Sequence, residues 1–268
     1  AYTLMVFLTS IILGLCMGSS AFFSMQYGAG NTERLKKSFF LSFVLIGAIT
    51  LLLNLIVVWK LGLIIRLLQI PAEIQGLMRD YLWIIFMGLI ATFLYNYFAN
   101  LLRAVGNSMG PLIFLAFSAV LNIILDLVFV LIFHWGVKGA AGATVFSQYV
   151  SGVGILLYYY VKFPHLRVER CHMKWDSSIL KEITGLSVLT CMQQSIMNLG
   201  ILMVQGLVNS FGTAVMAAFA AAVKIDSFAY MPVQDFGNAF STFVAQNFGA
   251  GKKERIRKGI RSAVTLSC

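Results

Sequence analysis

Apolar positions dominate this chain in long uninterrupted runs, and polar residues gather in short stretches between them. Charge-free segments extend over Ala1–Thr32, Ser38–Trp59, Tyr81–Leu102, Ala104–Leu125, Gly139–Val161 and Ile183–Val223. A helix crosses a hydrocarbon core of about 30 Å with roughly 20 apolar residues, so each run is long enough for a crossing. The last, at 41 residues, holds one crossing and the start of another, with a turn at Asn209-Ser210-Phe211-Gly212. The pattern predicts seven crossings, at about 1–27, 38–59, 81–102, 108–133, 139–161, 183–209 and 213–248, with an eighth helix starting near Gly259. Both ends of the chain lie inside apolar stretches without a cap or polar tail, which reads as a piece cut from a longer protein. A signal peptide is not expected, because no basic flank precedes the first apolar run.

One polar interruption occurs twice. Gln26-Tyr27-Gly28-Ala29-Gly30-Asn31-Thr32-Glu33-Arg34-Leu35-Lys36-Lys37 returns 221 positions later as Asn247-Phe248-Gly249-Ala250-Gly251-Lys252-Lys253-Glu254-Arg255-Ile256-Arg257-Lys258. Six positions are identical and four are close exchanges; only Asn31/Lys252 and Thr32/Lys253 differ in kind. Each copy ends one apolar run and begins another, as expected of a duplicated membrane bundle. The Gly-Ala-Gly triplets read as helix stops, because glycine takes the left-handed cap conformation. The predicted class is an all-α integral membrane protein with two pseudo-symmetric halves, divided as 1–162, a linker over 163–181, and 182–268.

Composition agrees: 59% of residues are hydrophobic, 11% are charged and the mean hydropathy is +0.85, which excludes an ordinary soluble globule. The net charge of +10 raises the question of a nucleic-acid partner. Its placement answers otherwise. Alternate loops carry Arg34, Lys36 and Lys37, then Arg103, then Lys162, Arg167, Arg170, Lys174 and Lys181, then Lys252, Lys253, Arg255, Arg257, Lys258 and Arg261. These are fifteen of the twenty Lys and Arg. The bias follows the positive-inside rule, puts both repeated turns and the linker on the cytoplasmic side of a plasma or inner membrane, and makes the bilayer the partner of the chain. Six predicted helices separate the two turns, and an even number returns the chain to the same side.

Enzyme chemistry finds no footing. Cys16, Cys171, Cys191 and Cys268 have no disulfide or metal spacing, His134, His165 and His172 form no HExxH-type pair, and no phosphate loop follows a strand. No cofactor is implied.

Ionisable groups within a bilayer are costly, about 2.5–3.5 kcal/mol at a helix centre on insertion scales, and mark sites by default. The sharpest is Asp126 in Leu121-Asn122-Ile123-Ile124-Leu125-Asp126. Asn122 and Asp126 are four apart and share a helix face. Asp126 lies nine residues before Trp135 and Thr144 nine after it, which predicts a common depth of about 13 Å below the turn. Thr144, Gln148 and Ser151 form a polar stripe on that second helix. A carboxylate, an amide oxygen and a hydroxyl at one depth suit a hard cation such as Na⁺, and a proton on the carboxylate would neutralise the same site. The stripe alone reads first as interhelical hydrogen bonding, with Gln148 also a candidate lining of a substrate cavity. A second stripe of Gln194, Asn198, Gln205 and Asn209 either lines a substrate cavity or joins helices. Asn96, Asn100 and Arg103 read as packing. Lys224, Asp226 and Asp235 share a helix interrupted by Pro232 and Gly237, a pattern that predicts a bend. Lys224 is a candidate counter-charge for an acidic group on another helix, and a candidate cavity residue.

These residues resemble the MATE (multidrug and toxic compound extrusion) family. Ala245-Gln246-Asn247-Phe248-Gly249-Ala250-Gly251, preceded by Lys224-Ile225 and Met231-Pro232, is similar to the family's eighth helix. Leu102-Arg103-Ala104-Val105-Gly106-Asn107-Ser108 resembles the loop before its fifth, and Asn122–Asp126 with Gly136–Thr144 its fifth and sixth. The resemblance implies two six-helix bundles, of which this chain covers helices two to eight and the start of nine. It also implies export of organic, often cationic, compounds in exchange for Na⁺ or H⁺ by alternating access, as a monomer. The family's Asn-x3-Asp pair and sixth-helix threonine fall on Asn122, Asp126 and Thr144, and its first-helix aspartate would lie before Ala1. Where one branch carries a seventh-helix glutamate, this chain has Gln193, Gln194 and Ser195. Two rival readings are a lipid-linked oligosaccharide or polysaccharide flippase of the same superfamily, and a seven-helix receptor. Lys224 alone supplies an intramembrane cation for the first, and the repeat argues against the second.

Overall fold

The structure, a computed structural model, describes residues 2–62, 75–209 and 213–267. Every regular element among the described residues is helical: α1 (Tyr2–Gly28), α2 (Thr32–Trp59), α3 (Gln75–Met87), α4 (Leu89–Ala104), α5 (Met109–Leu127), α6 (Gly136–Lys162), α7 (Ser177–Asn209), α8 (Thr213–Gly249) and α9 (Lys253–Ser267). Five stretches are long and apolar enough to cross a membrane: Leu8–Gly28, Thr32–Trp59, Arg79–Ala104, Met109–Ile132 and Gly136–Lys162. They coincide with the first five expected crossings. The expected ranges 183–209 and 213–248 fall within α7 and α8, which at 33 and 37 residues exceed the length of a crossing. Of the expected turn at 209–212, residues 210–212 lie outside the described residues.

Two crossings are not straight. The third breaks at Gly88 into α3 and α4, where α6 presses against it: a Cβ there would lie 2.8 Å from Gln148 Oε1 and 3.0 Å from Val145 Cγ2. The fourth ends in a π-turn over Val128–Ile132, directly after α5. Hydropathy registers neither break, because both sides of each are equally apolar.

The two repeated turns fold alike down to their hydrogen bonds. The Ala29 amide donates to the Met25 carbonyl, Gly30 to Tyr27, Asn31 to Gln26 and Thr32 to Gly30. In the second copy Ala250 donates to Gln246, Gly251 to Phe248, Lys252 to Asn247 and Lys253 to Gly251. Gly30 and Gly251 have φ of +70° and +69°, the left-handed cap conformation expected of the triplets. The copies part at the cap of the next helix: Asn31 Oδ1 accepts the Arg34 amide at 3.1 Å, and a lysine at 252 cannot.

α1 packs against α2, α4, α7 and α8. It meets the second half through glycines. A Cβ on Gly14 would lie 2.5 Å from Cys191 Cα, and one on Gly18 would meet the Ser187 backbone. Near the turns, Gly28 sits against the Gln246 carbonyl and Gly249 against the Met25 carbonyl. Position 249 is 28 in the second copy and 246 is 25, so this crossing is its own mirror under the repeat. Polar groups pin it: Ser19 Oγ and Ser187 Oγ are 3.0 Å apart and buried, Ser187 Oγ donates to Leu15 O, and Gln246 Nε2 donates to Ala104 O. Further out, Arg34 pairs with Glu182 at 2.6 Å and His172 with Glu33 at 3.1 Å.

The first half encloses an aromatic core. Phe23, Phe39, Phe43, Tyr97, Phe98 and Tyr159 meet mostly edge to face, with Phe23 and Phe39 4.8 Å apart. The buried Tyr97 hydroxyl donates to Phe39 O and contacts Ser42 Oγ, so its polar end is satisfied.

Gly28→Ala and Gly249→Ala should each destabilise the complete transporter by about 1–3 kcal/mol through overpacking of this crossing. Gly185→Ala, on α7 with nothing within 4 Å of an added Cβ, should be neutral or stabilising by up to about 1 kcal/mol. Thermal unfolding in detergent checks the contrast; equal midpoints for the three variants would refute it.

Candidate functional site

Ser118, Asn122 and Asp126 form a stripe at i, i+4 and i+8 on α5, and the first of them fixes the register against α6. Ser118 Oγ donates to Ser147 O at 2.9 Å, and Ser151 Oγ donates to Phe114 O at 3.3 Å. Four residues further along each helix, Asn122 lies opposite Ala143 and level with Thr144. Another four bring Asp126 to the Gly139–Gly142 stretch. The equal depth predicted for Asp126 and Thr144 is therefore corrected: Thr144 is level with Asn122, roughly one helical turn from Asp126. The count from Trp135 assumed a symmetric hairpin, whereas the π-turn after Asp126 shifts the helices past one another. Within the π-turn, Phe129 packs on Gly139.

Three side-chain atoms among the described residues are buried without a hydrogen-bond partner: Ser24 Oγ, Asn122 Nδ2 and Asp126 Oδ1. Two of the three belong to the predicted pair. Orphaned polar atoms of this kind cost about 1–3 kcal/mol each and are rare in native structures unless a ligand completes them. Thr144 Oγ1 donates its single hydrogen to Ala140 O at 3.0 Å, which leaves its lone pairs free to accept. A π-turn directly after a stripe of this kind is a frequent companion of functional sites. The arrangement can take up a proton on Asp126, or a small hard cation between the carboxylate and neighbouring oxygens.

The remaining predicted residues scatter. Gln148 turns to the α3–α4 break, where its Oε1 accepts from Thr92 Oγ1 at 3.4 Å, and Ser151 is buried against α5. Both side chains meet a neighbouring helix through these contacts. Asn96 and Asn100 donate back to Thr92 O and Asn96 O, as packing residues do. On α7, Gln194 is half-buried with Nε2 3.9 Å from Met17 Sδ, and Asn198 Nδ2 donates to Gln194 O. Gln193 is exposed and Ser195 half-buried. Asp226 and Asp235 on α8 are exposed, and Pro232 lies within that helix. The side chains of Gln205, Asn209 and Lys224 lie outside the described residues.

Sequence reading missed one further cluster, Glu169, Cys171 and His172 in the linker. It is a capped turn. His172 Nδ1 accepts the Glu169 amide at 3.2 Å, so the ring's proton is on Nε2, facing Glu33 Oε2. The lone pair a metal would need is occupied. Only the folded linker brings Glu33, 139 residues away, to this ring.

Comparison with known proteins follows the same outline. A sequence model of the MatE family matches residues 1–128 and 187–268, one stretch in each half. The chain is 31% identical over 257 residues to a probable multidrug resistance protein, YpnP, of Bacillus subtilis, covering 95% of this chain and 57% of the relative. It is 29% identical over 276 residues to a second from that organism, YoeA, covering 99% and 59%. Among solved structures, an outward-facing multidrug resistance MATE transporter of the MOP superfamily superposes with a TM-score of 0.91 at 19% identity, over 99% of this chain and 59% of the other. The chain thus spans just under three-fifths of the length of the curated relatives it matches. With the repeated turns, the apolar spans and a family match over more than half its residues, this chain belongs to the MATE family of multi-pass membrane transporters.

Proposed function

We propose that the transporter to which this chain belongs exports organic compounds, cationic ones foremost, in exchange for Na⁺ or H⁺, and that Asp126 is the group the coupling ion neutralises. The observation that carries this reading is Asp126 Oδ1, buried without a hydrogen-bond partner, with Asn122 four residues away on the same face of α5. Support for the exported class comes from the relatives named for multidrug resistance.

The mechanism follows from differential binding. A carboxylate without partners raises the free energy of whichever state buries it, and a proton or Na⁺ removes that cost. Ion binding at Asp126, with Asn122 and Thr144 supplying oxygens, stabilises one arrangement of the two bundles; substrate binding stabilises the other. Residues 1–162 and 182–268 move about the glycine crossing of α1 with α7 and α8, with 163–181 as the connection. By their place in the sequence, Gln194, Asn198, Gln205 and Lys224 are assigned to the substrate path, with Gln148 beside it. The repeated turns lie on the cytoplasmic side, as the charge bias requires.

Everted vesicles carrying the complete transporter test the coupling. Efflux of a fluorescent organic cation under an imposed Na⁺ or H⁺ gradient should fall at least tenfold in Asp126→Asn and survive in part in Asp126→Glu. Efflux unchanged by Asp126→Asn would end the assignment, and no efflux of any cation from wild type would favour a flippase. Stability supplies a second check. Asp126→Leu replaces an unsatisfied carboxyl with an apolar group and should raise unfolding stability by about 1–3 kcal/mol while abolishing coupling. A lowered midpoint would mean that Asp126 holds the fold together instead.

A further inference from the structure

The second repeated turn departs from the first at two adjacent positions, and both departures add charge. Asn31 and Thr32 are replaced by Lys252 and Lys253. The exchange gives up something local: Asn31 caps α2 through the Arg34 amide, and a lysine offers no acceptor for the same role at the start of α9. A helix cap is worth about 0.5–2 kcal/mol, so the lysines sit here at a cost to the helix.

The surroundings of the copies differ as well. At the first turn Arg34 is paired with Glu182, and Glu33 lies against His172. At the second, Lys252, Lys253, Arg255 and Lys258 are all exposed, and none has a carboxylate within ion-pair distance among the described residues. With Gly251 and Glu254 they line an open surface concavity of about 450 Å³. It lies directly after α8, where a 37-residue helix ends.

We infer that the second turn is a binding site for the headgroup of an anionic phospholipid. Clusters of cations immediately beside a membrane helix attract anionic lipids by about 1 kcal/mol per Lys or Arg. Four cations around a shallow opening at that level suit a phosphodiester held in the plane of the bilayer. An enclosed cradle for a free phosphate is not what the opening provides. The inference rests on the multi-pass fold and is independent of ion coupling at Asp126.

The test returns the second turn to the residues of the first. The complete transporter, as wild type and as Lys252→Asn/Lys253→Thr, is placed in phosphatidylcholine nanodiscs, and binding of spin-labelled phosphatidylglycerol is titrated at low salt. The control is Lys36→Gln/Lys37→Gln, which removes two cations beside the first turn. All three proteins should elute alike on size exclusion, and two lost cations should weaken phosphatidylglycerol affinity about thirtyfold in the second-turn variant. The control should change less than twofold, and labelled phosphatidylcholine should respond to neither. Equal losses at both turns would reduce the effect to the general charge of this face and overturn the site, as would an unaltered affinity in the second-turn variant. Displacement of the labelled lipid by millimolar inorganic phosphate would assign the pocket to a free anion and overturn it too.

Discussion

The contact on which the rest of this structure depends is the approach of backbone to backbone where α1 crosses α7 and α8. Inside a bilayer no hydrophobic effect drives helices together, so they associate through close packing and through hydrogen bonds made possible by small residues. Gly14, Gly18, Gly28 and Gly249 supply that closeness, and Ser19 with Ser187 supply the bonds. Because the sides of the crossing near the turns exchange under the repeat, neither half can be repacked alone. Beside this seam, Gln246 meets Ala104 and Arg34 meets Glu182 across the two halves.

A seam built from glycines has a mechanical consequence. Side chains that interdigitate lock two helices in one register, whereas bare backbone surfaces can part or roll with little rotamer cost. The exposed ion pair Arg34–Glu182 adds only a weak restraint, on the order of 0–1 kcal/mol for pairs of its kind. The first half is held differently, by interlocked aromatic rings that Tyr97 and Tyr159 stitch to backbone carbonyls.

Within the α5–α6 hairpin, α6 joins that aromatic core through Tyr159, whereas α5 packs outside it. α5 is the most exposed of the candidate spans, with its large apolar residues facing outward and its polar stripe turned to α6. Ser118 finds a carbonyl on α6 and holds the register, while Asn122 and Asp126 do not. One helix face thus changes from satisfied to unsatisfied within two turns. Directly beyond it the helix passes into the π-turn after Leu127, where Phe129 packs on Gly139 of α6.

Much of this was legible in the residues alone. Apolar run lengths located the crossings because a bilayer imposes one length on every helix. The repeated phrase announced two equivalent turns, and they fold with the same four hydrogen bonds because a Gly-Ala-Gly stop leaves the backbone one economical path. Asp126 declared itself by the cost of a carboxylate in an apolar run. Other features were decided by tertiary contact. The break at Gly88 exists because Gln148 and Val145 press there, and its own sequence is as apolar as any helix interior. The level of Thr144 against Asn122 depends on hydrogen bonds from Ser118 and Ser151 to the facing helix, which no count along the chain can supply. His172 meets Glu33 only because the linker folds back. Periodicity and composition act locally and so can be read from the chain; register, breaks and pairings are set by what a neighbouring helix presents, and that partner exists only once the chain has folded.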